Sequence, residues 1–271
     1  LSANNLLSSR FTHPNLEKTM TTPIALVTGG NRGLGRSAAL ALARHGTDVV
    51  LTYRGNAAEA AAVVAEIQAL GRRAAALPLD LADSATIPAF AEKLRATLQQ
   101  QFGQPRLRYL LNNAGLGVHA AFADTTPAQF DHMLNVHLKG PFFLTQALLP
   151  LLEEGGRILN VSSGLTRFSL PGYAAYATMK GGIEVLTRYL AKELGARNIS
   201  VNTIAPGAIA TDFGNGAVRD NAELNRFVAS VTALGRTGLA EDIGPVMASL
   251  LSEETRWING QRVEASGGMF L

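Results

Sequence analysis

No cysteine occurs among the 271 residues. Disulfide scaffolds, thiolate metal sites and cysteine nucleophiles are thereby excluded. No apolar run approaches the roughly 20 residues of a membrane-crossing helix. Charge is sparse at 17%, with a net of +3 and no basic block, so nothing in the chain asks for nucleic acid. His132 and His137 flank Asn135 at a spacing that presents no metal face, and both read as solvated helix residues; no metal is expected. The opening stretch LSANNLLSSRFTHPNLEKT lacks a basic region leading into a continuous apolar one, so it is not read as a secretory signal. Residues 1–19 read as an added or upstream extension, with Met20 as the native start.

What is abundant is apolar. Hydrophobic residues make up 47% of the chain, which suits a sheet buried on both faces. Strands and helices alternate from IALVT through DVVLTY, AAALPL, LRYLLNN, RILNVSS and ISVNTIA to QRVEA. TPAQFDHMLNVHLKGPFFLTQALLPLL reads as one long helical region bent at Pro141, and residues 207–232 as a less regular segment. Such alternation implies right-handed crossovers, a parallel α/β sheet with helices on both faces, and a ligand crevice at the carboxyl ends of the strands. With no internal repeat or linker, 20–271 reads as a single Rossmann-like domain.

Two patterns carry chemistry. Tyr176 and Lys180, four apart on a helix, can share one face, and a cation beside a phenol favours the phenolate. Ser163, thirteen positions before the tyrosine, can approach from a neighbouring strand and hydrogen-bond a substrate carbonyl. A tyrosine and lysine at this spacing also occur on ordinary amphipathic helices. The second pattern is Gly29-Gly30-Asn31-Arg32-Gly33-Leu34-Gly35, between a strand and a helix. There, glycines allow a tight turn and close approach of a pyrophosphate to the helix N-terminus.

Together with three further motifs, these patterns resemble the short-chain dehydrogenase/reductase family in its single-domain branch, from Thr22 to the C-terminus. TGGNRGLG at 28–35 is similar to the family's glycine motif and Asn112-Asn113-Ala114-Gly115 to its Asn-Asn-Ala-Gly turn. Asn135, Ser163, Tyr176 and Lys180 match its catalytic set, and Pro206-Gly207-Ala208-Ile209-Ala210-Thr211 its nicotinamide-holding segment. The resemblance implies hydride transfer between a nicotinamide and a carbonyl carbon. In it Tyr176 acts as acid or base, Ser163 polarises the carbonyl, Lys180 lowers the tyrosine pKa and binds the ribose, and Asn135 holds a relay water. It also implies cofactor contacts from Gly29, Asn31, Arg32, Gly33, Leu34, Gly35, Tyr53, Arg54, Asp80, Leu81, Asn113, Ala114, Gly115, Tyr176, Lys180, Pro206, Gly207, Ile209 and Thr211.

Charge selects the cofactor. The second strand ends in Tyr53-Arg54, where a carboxylate would grip a ribose hydroxyl and repel a 2′-phosphate. Arg32 and Arg54 are both placed to hold that phosphate, so NADP(H) is expected. Ser162 and Tyr173 are decoys: Ser162 points to the opposite side of its strand from Ser163, and Tyr173 has Ala177, not a lysine, four residues on.

The expected substrate pocket is Leu116, Val118, Leu165, Phe168, Leu170, Tyr173 and Phe213, with His119 at its border. Its apolar, aromatic lining suits a small to medium ketone, or the corresponding alcohol. The carboxyl segment is similar to 3-oxoacyl-carrier-protein reductases, which receive an acidic carrier on basic residues at the active-site mouth. Arg197 matches one such position, whereas Glu153-Glu154 makes the other acidic. Ala265-Ser266-Gly267-Gly268 departs from the family's usual aspartate before two glycines. Three readings therefore stand: a carbonyl reductase on free ketones, a carrier-linked 3-oxoacyl reductase, and a catalytically silent NADP(H)-binding sensor. A cytoplasmic homotetramer is expected, with a dimer as the alternative. The family resemblance implies helix pairing across one twofold axis, and the last strand and Leu271 would supply a second.

Overall fold

The computed structural model describes residues 22–271. The extension at 1–19 and the start at Met20 lie outside the described residues. The elements are β1 (Ile24–Val27), α1 (Gly33–Arg44), β2 (Asp48–Tyr53), α2 (Ala57–Ala69), β3 (Ala74–Pro78), α3 (Ile87–Phe102) and β4 (Leu107–Asn112). There follow α4 (Pro127–Leu134), α5 (Gly140–Leu148), β5 (Leu152–Val161), α6 (Ala174–Glu193) and β6 (Ser200–Pro206). Last come α7 (Ala217–Asp220), α8 (Ala222–Ser230), α9 (Ala240–Leu250) and β7 (Arg262–Ala265). The seven strands of the described residues are all parallel, in the order β3-β2-β1-β4-β5-β6-β7. This is the expected Rossmann-like α/β sheet. Its order reverses between β1 and β4, so the chain leaves those two strands in opposite directions and opens a crevice at their carboxyl ends.

Alternation along β1 shows how the sheet is buried. Ala25 and Val27 face a core built with α1, α2 and α9, while Ile24 and Leu26 face one built with α3, α5 and α6. All four are fully buried, and the larger three, Ile24, Leu26 and Val27, each contribute on the order of 1.5–3 kcal/mol. Small residues set the spacing where helices touch: a Cβ on Gly244 of α9 would lie 2.2 Å from Ser37 Oγ of α1.

Two sequence expectations need correction. The long region 126–152 is one continuous helical run from Pro127 to Leu148, but its irregularity is a widened turn before Pro141 and not a bend at the proline itself. α4 starts with a reciprocal cap between Thr126 and Gln129, and then Asn135–Lys139 winds as a π-helix, closed by the Gly140 N–H donating to the Asn135 carbonyl. Pro141 follows that turn directly, and because the helix runs on unbroken its missing N–H leaves out one helical bond at the place where the winding widens. The irregularity therefore precedes the proline. The segment 207–232 also holds more structure than expected: Asn221 caps α8 by accepting from the amides of Glu223 and Leu224.

Candidate active site

The glycine turn is locked to the turn after β4. Asn113 Nδ2 donates to the carbonyls of Thr28 (2.9 Å) and Gly29 (3.2 Å), and Thr28 Oγ1 accepts from the amides of Asn113 and Ala114. Gly29 and Gly33 have φ of +63° and +54°, where a side chain would be strained. Gly35 acts differently from the expected cofactor contact. It does not reach the cavity, and a Cβ there would lie 2.2 Å from the Gly29 carbonyl oxygen. Its role is to let the helix close on the turn.

Ser163, Tyr176 and Lys180 meet at the carboxyl ends of β5 and β6, on the wall of a cavity of about 630 Å³. Ser163 lies just past β5 in extended backbone, and its Oγ accepts from the Leu165 amide at 3.2 Å. That bond occupies a lone pair and leaves the hydroxyl proton for Tyr176, a bond it can exchange for a ligand carbonyl. Lys180 is only 4% exposed, and its Nζ donates to the Val161 carbonyl at 2.7 Å. Burial pulls its pKa down to about 7. Burial also raises the Tyr176 phenol above the ordinary tyrosine value, against an opposing hydrogen bond with Ser163. The expectation that Lys180 lowers the tyrosine pKa is therefore not met: Nζ stands 5.5 Å from the ring centroid, and desolvation wins.

Ser162 turns away from the site, as expected, and donates to Glu184 Oε1 at 2.6 Å. Tyr173 lies on the cavity wall with its ring edge to that of His119, centroids 5.0 Å apart. Asn135 opens the π-helical turn but does not reach the wall.

His137 overturns its expectation. It is 1% exposed, and its Nε2–H donates to the Leu116 carbonyl at 2.7 Å. Its Nδ1 is buried without a partner among the described residues. Burial and the neighbouring Lys180 charge hold its pKa well below the ordinary histidine value, so the ring is neutral. The π-helical turn inserts one extra residue, which rotates every later side chain relative to a regular helix. A reading at 3.6 residues per turn therefore put His137 in solvent.

The remaining predicted residues gather on the same cavity. Asn31, Arg32, Gly33, Leu34, Tyr53, Arg54, Asp80, Leu81, Asn113, Ala114, Gly115, Pro206, Gly207, Ile209 and Thr211 line it. So do Leu116, Leu165, Phe168, Leu170, Tyr173 and Phe213. Val118 is absent from this wall and packs with Met133, Tyr176 and Met179 behind it. Sequence reasoning missed Leu224, Phe227 and Val228 of α8, although their spacing of three and four residues marks one helical face. It also missed Glu59, which lines the cavity and accepts from Asn31 Nδ2 at 2.8 Å. A carboxylate thus stands against the glycine turn. Arg32 lies 4.0 Å from Asp212, while Arg54 has no ion-pair partner among the described residues.

Arg197 does not border the cavity mouth. It follows the carboxyl end of α6, a helix about 30 Å long at 1.5 Å per residue that begins at the site. There it bonds Glu154 at 2.8 Å and the carbonyls of Leu149 and Leu152.

A dinucleotide fits this donor set. The glycine turn packs closely on the turn after β4, where a Cβ on Gly29 would lie 3.0 Å from Ala114 Cα, and both turns line the cavity together with the two arginines Arg32 and Arg54. Residues 29–270 match the family profile described as "Enoyl-(Acyl carrier protein) reductase". The chain is 36% identical to the 3-oxoacyl-[acyl-carrier-protein] reductase FabG of Staphylococcus aureus, over 92% of this chain and 99% of that one. Among solved structures, it is similar to the reductase LugOII, described as catalysing keto-reduction at C1 during lugdunomycin biosynthesis. That likeness has a TM-score of 0.88 at 37% identity, covering 93% of this chain and 99% of the other. The angucycline C-6 ketoreductase LanV with bound NADP matches with a TM-score of 0.87 at 36% identity, over 92% and 96%.

Proposed function

The chain belongs to the short-chain dehydrogenase/reductase family, and from that premise we propose that it is an NADP(H)-dependent ketoreductase acting on ketones with an apolar, planar body. One observation carries this reading. Ser163, Tyr176 and Lys180 line one cavity together with Arg32 and Arg54 and with the rings of Phe168, Tyr173 and Phe213. Bound NADP(H) supplies the hydride, or takes it up in the reverse direction. Arg32 and Arg54 would hold its phosphate, and the Asn113–Gly115 and Pro206–Thr211 segments would line its path.

The protein's own groups handle the proton. Burial keeps Tyr176 protonated near neutral pH, the state an acid needs in the reductive direction. Tyr176 gives that proton to the carbonyl oxygen, which also accepts from the Ser163 hydroxyl. With a pKa of about 7, Lys180 can exchange protons at neutral pH and so restore the phenol. The Asn135 carbonyl accepts from the Gly140 amide and closes the helical turn behind the site.

Free ketones are favoured over a carrier-bound thioester. Arg197, the basic residue that would meet an acidic carrier, is neutralised by Glu154 far from the cavity. The keto-reductions named for LugOII and LanV support the same choice. We further propose one catalytic unit over 20–271, assembled as a cytoplasmic homotetramer. Exposed Phe142 and Phe143 on α5, with Val185 and Tyr189 on α6, support one twofold contact, and the sheet edge at β7 with Leu271 supports the other.

NADPH oxidation measured over small ketones, fused-ring ketones and acyl thioesters tests the reading. Turnover of the ketones is expected to dominate; turnover of thioesters alone would replace it with the carrier-linked reading, and NADPH binding without turnover with the sensor.

A further inference from the structure

Arg167 lies four residues beyond Ser163 and belongs neither to the cofactor cradle nor to the proton-transfer group. Its guanidinium fork is committed to the segment that ends the chain. Nε and Nη2 grip the two oxygens of Glu264 at 2.8 and 2.7 Å. Nη1 and Nη2 also donate to the carbonyls of Phe270 and Met269, at 3.1 and 2.5 Å. The rings of Phe168 and Phe270 meet with centroids 4.7 Å apart.

Glu264 is the hub of this contact. It accepts as well from Arg262 Nη1 at 2.9 Å and from Ser266 Oγ at 2.8 Å. Arg262 in turn donates to the Ser163 carbonyl at 3.3 Å. The serine standing where the family usually has aspartate is thus a ligand of the hub. On its other side the tail is tied to the end of α8. Phe270 N donates to the Val231 carbonyl at 2.8 Å, and the amides of Ala233 and Leu234 donate to the carbonyls of Gly268 and Gly267.

Two cavity walls are joined this way. Leu165 and Phe168 belong to one, Phe227 and Val228 to the other, and Met269 of the tail reaches the cavity between them. Phe270 has φ of +53°, a left-handed conformation that a bulky residue keeps only where its surroundings over-determine it. A planar fork bonded to two successive carbonyls and a carboxylate provides that constraint.

We propose that Arg167 is a specificity-determining positioning residue: it clamps the Met269–Phe270 tail between the Ser163 loop and α8, and so sets the width of the cavity for bulky ketones. The inference rests on the ketoreductase reading. A small ketone needs only the groups at the carbonyl, whereas a fused-ring ketone touches both walls. Loosening the tail therefore acts on the second and spares the first.

The test uses the full chain with Arg167→Met, which keeps the stem and loses the fork, and Arg167→Lys, which keeps the charge without the planar geometry. NADPH oxidation is followed with 2,3-butanedione and with 2-tetralone, alongside amide hydrogen exchange. The expected result for both variants is a KM for 2-tetralone raised about tenfold, with kcat/KM for 2,3-butanedione within about twofold of the parent. Exchange should quicken together at Leu165–Phe168 and Gly268–Phe270, and not within α6. An unchanged KM for 2-tetralone, equal losses on both ketones, or full rescue by lysine would overturn the proposal. If the parent protein reduces neither ketone, the ketoreductase reading fails, while exchange that stays unchanged at both segments overturns the clamp independently.

Discussion

The imidazole of His137 stands edge-on to the phenol of Tyr176, ring centroids 5.2 Å apart at 86°, while its Nε2–H holds the Leu116 carbonyl. One buried neutral ring thus braces both the expected proton donor and the first residue of the substrate wall. His137→Phe keeps a ring beside the tyrosine and drops the bond. A hydrogen bond of about 0.5–1.5 kcal/mol corresponds to a loss of roughly two- to twelvefold, expected in kcat more than in the KM for NADPH. His137→Gln can return an N–H near the same carbonyl and should recover most of the activity. Steady-state kinetics of the two variants decide the matter: equal activity in both would separate His137 from the site.

Lys180 is held in the fold at a cost that depends on pH. Its folded pKa of about 7 lies below the ordinary lysine value of 10.5, so the unfolded chain binds more protons between these limits. Stability from this group is complete above about 10.5, falls as pH drops toward 7, and falls no further below that. Lys180→Met removes the titration but leaves the Val161 carbonyl without its donor, a loss of about 1–3 kcal/mol. Activity should vanish, while the Tm at pH 7 equals or exceeds that of the parent. By pH 9.5 the parent should have regained the advantage, because the missing bond then dominates. Thermal melts of both proteins at the two pH values show whether the difference changes sign.

Tyr176→Phe should abolish turnover and leave NADPH binding nearly intact, because the ring keeps its packing and loses only its proton. Tyr173→Phe should be mild, as that hydroxyl has no hydrogen bond among the side-chain contacts of the described residues. Ser162→Ala should also be mild in chemistry yet lower the Tm, since its hydroxyl is buried on Glu184. Turnover assays paired with NADPH fluorescence titration separate these effects. Equal damage from Tyr173→Phe and Tyr176→Phe would displace Tyr176 as the proton donor.

The motifs legible in the sequence are those whose meaning is local. A glycine turn between a strand and a helix, or a tyrosine and lysine four apart, keeps its geometry whatever packs around it, and Gly29, Tyr176 and Lys180 sit where the pattern put them. What was not legible depended on windings or contacts that close far along the chain. The π-helical turn at Asn135–Lys139 has no signature in side-chain periodicity, so His137 was misplaced. Val118 follows the Asn-Asn-Ala-Gly turn in an irregular stretch, where alternation cannot tell cavity from packing. Leu224, Phe227 and Val228 share one face of a nine-residue helix, but which cavity that face covers depends on contacts made beyond it, such as those of residues 231–234 with the end of the chain.

Cofactor choice follows from a local imbalance of charge. Arg32 and Arg54 line the same cavity as Glu59, whose carboxylate is held by Asn31. Arg54→Asp combined with Arg32→Ala should reverse the preference for NADPH over NADH. Each lost charged contact to phosphate is worth on the order of 1.5–3 kcal/mol, or about ten- to a hundredfold and somewhat more. Glu59→Gln should act the other way and lower the KM for NADPH modestly. Comparing kcat/KM with the two cofactors provides the measurement, and equal use of both by the parent would sink the charge argument.

Assembly is the last expected outcome. Phe142 and Phe143 on α5 and Val185 and Tyr189 on α6 are exposed together, with Tyr189 at 66%. Gly181 on α6 has open space where a Cβ would stand, so another helix could approach closely there. A second exposed region, with Leu234 at 71% and Leu271 at 96%, lies by the sheet edge at β7. Two distinct self-complementary contacts generate a tetramer of D2 symmetry, whereas one alone stops at a dimer. Phe143→Glu with Tyr189→Glu should place like charges across the first contact and leave dimers joined through the second. Leu234→Glu should leave dimers of the other kind, and all three changes together should give monomers. Light scattering at micromolar concentration reads the mass directly. A parent protein that is monomeric and fully active would remove both contacts from the account.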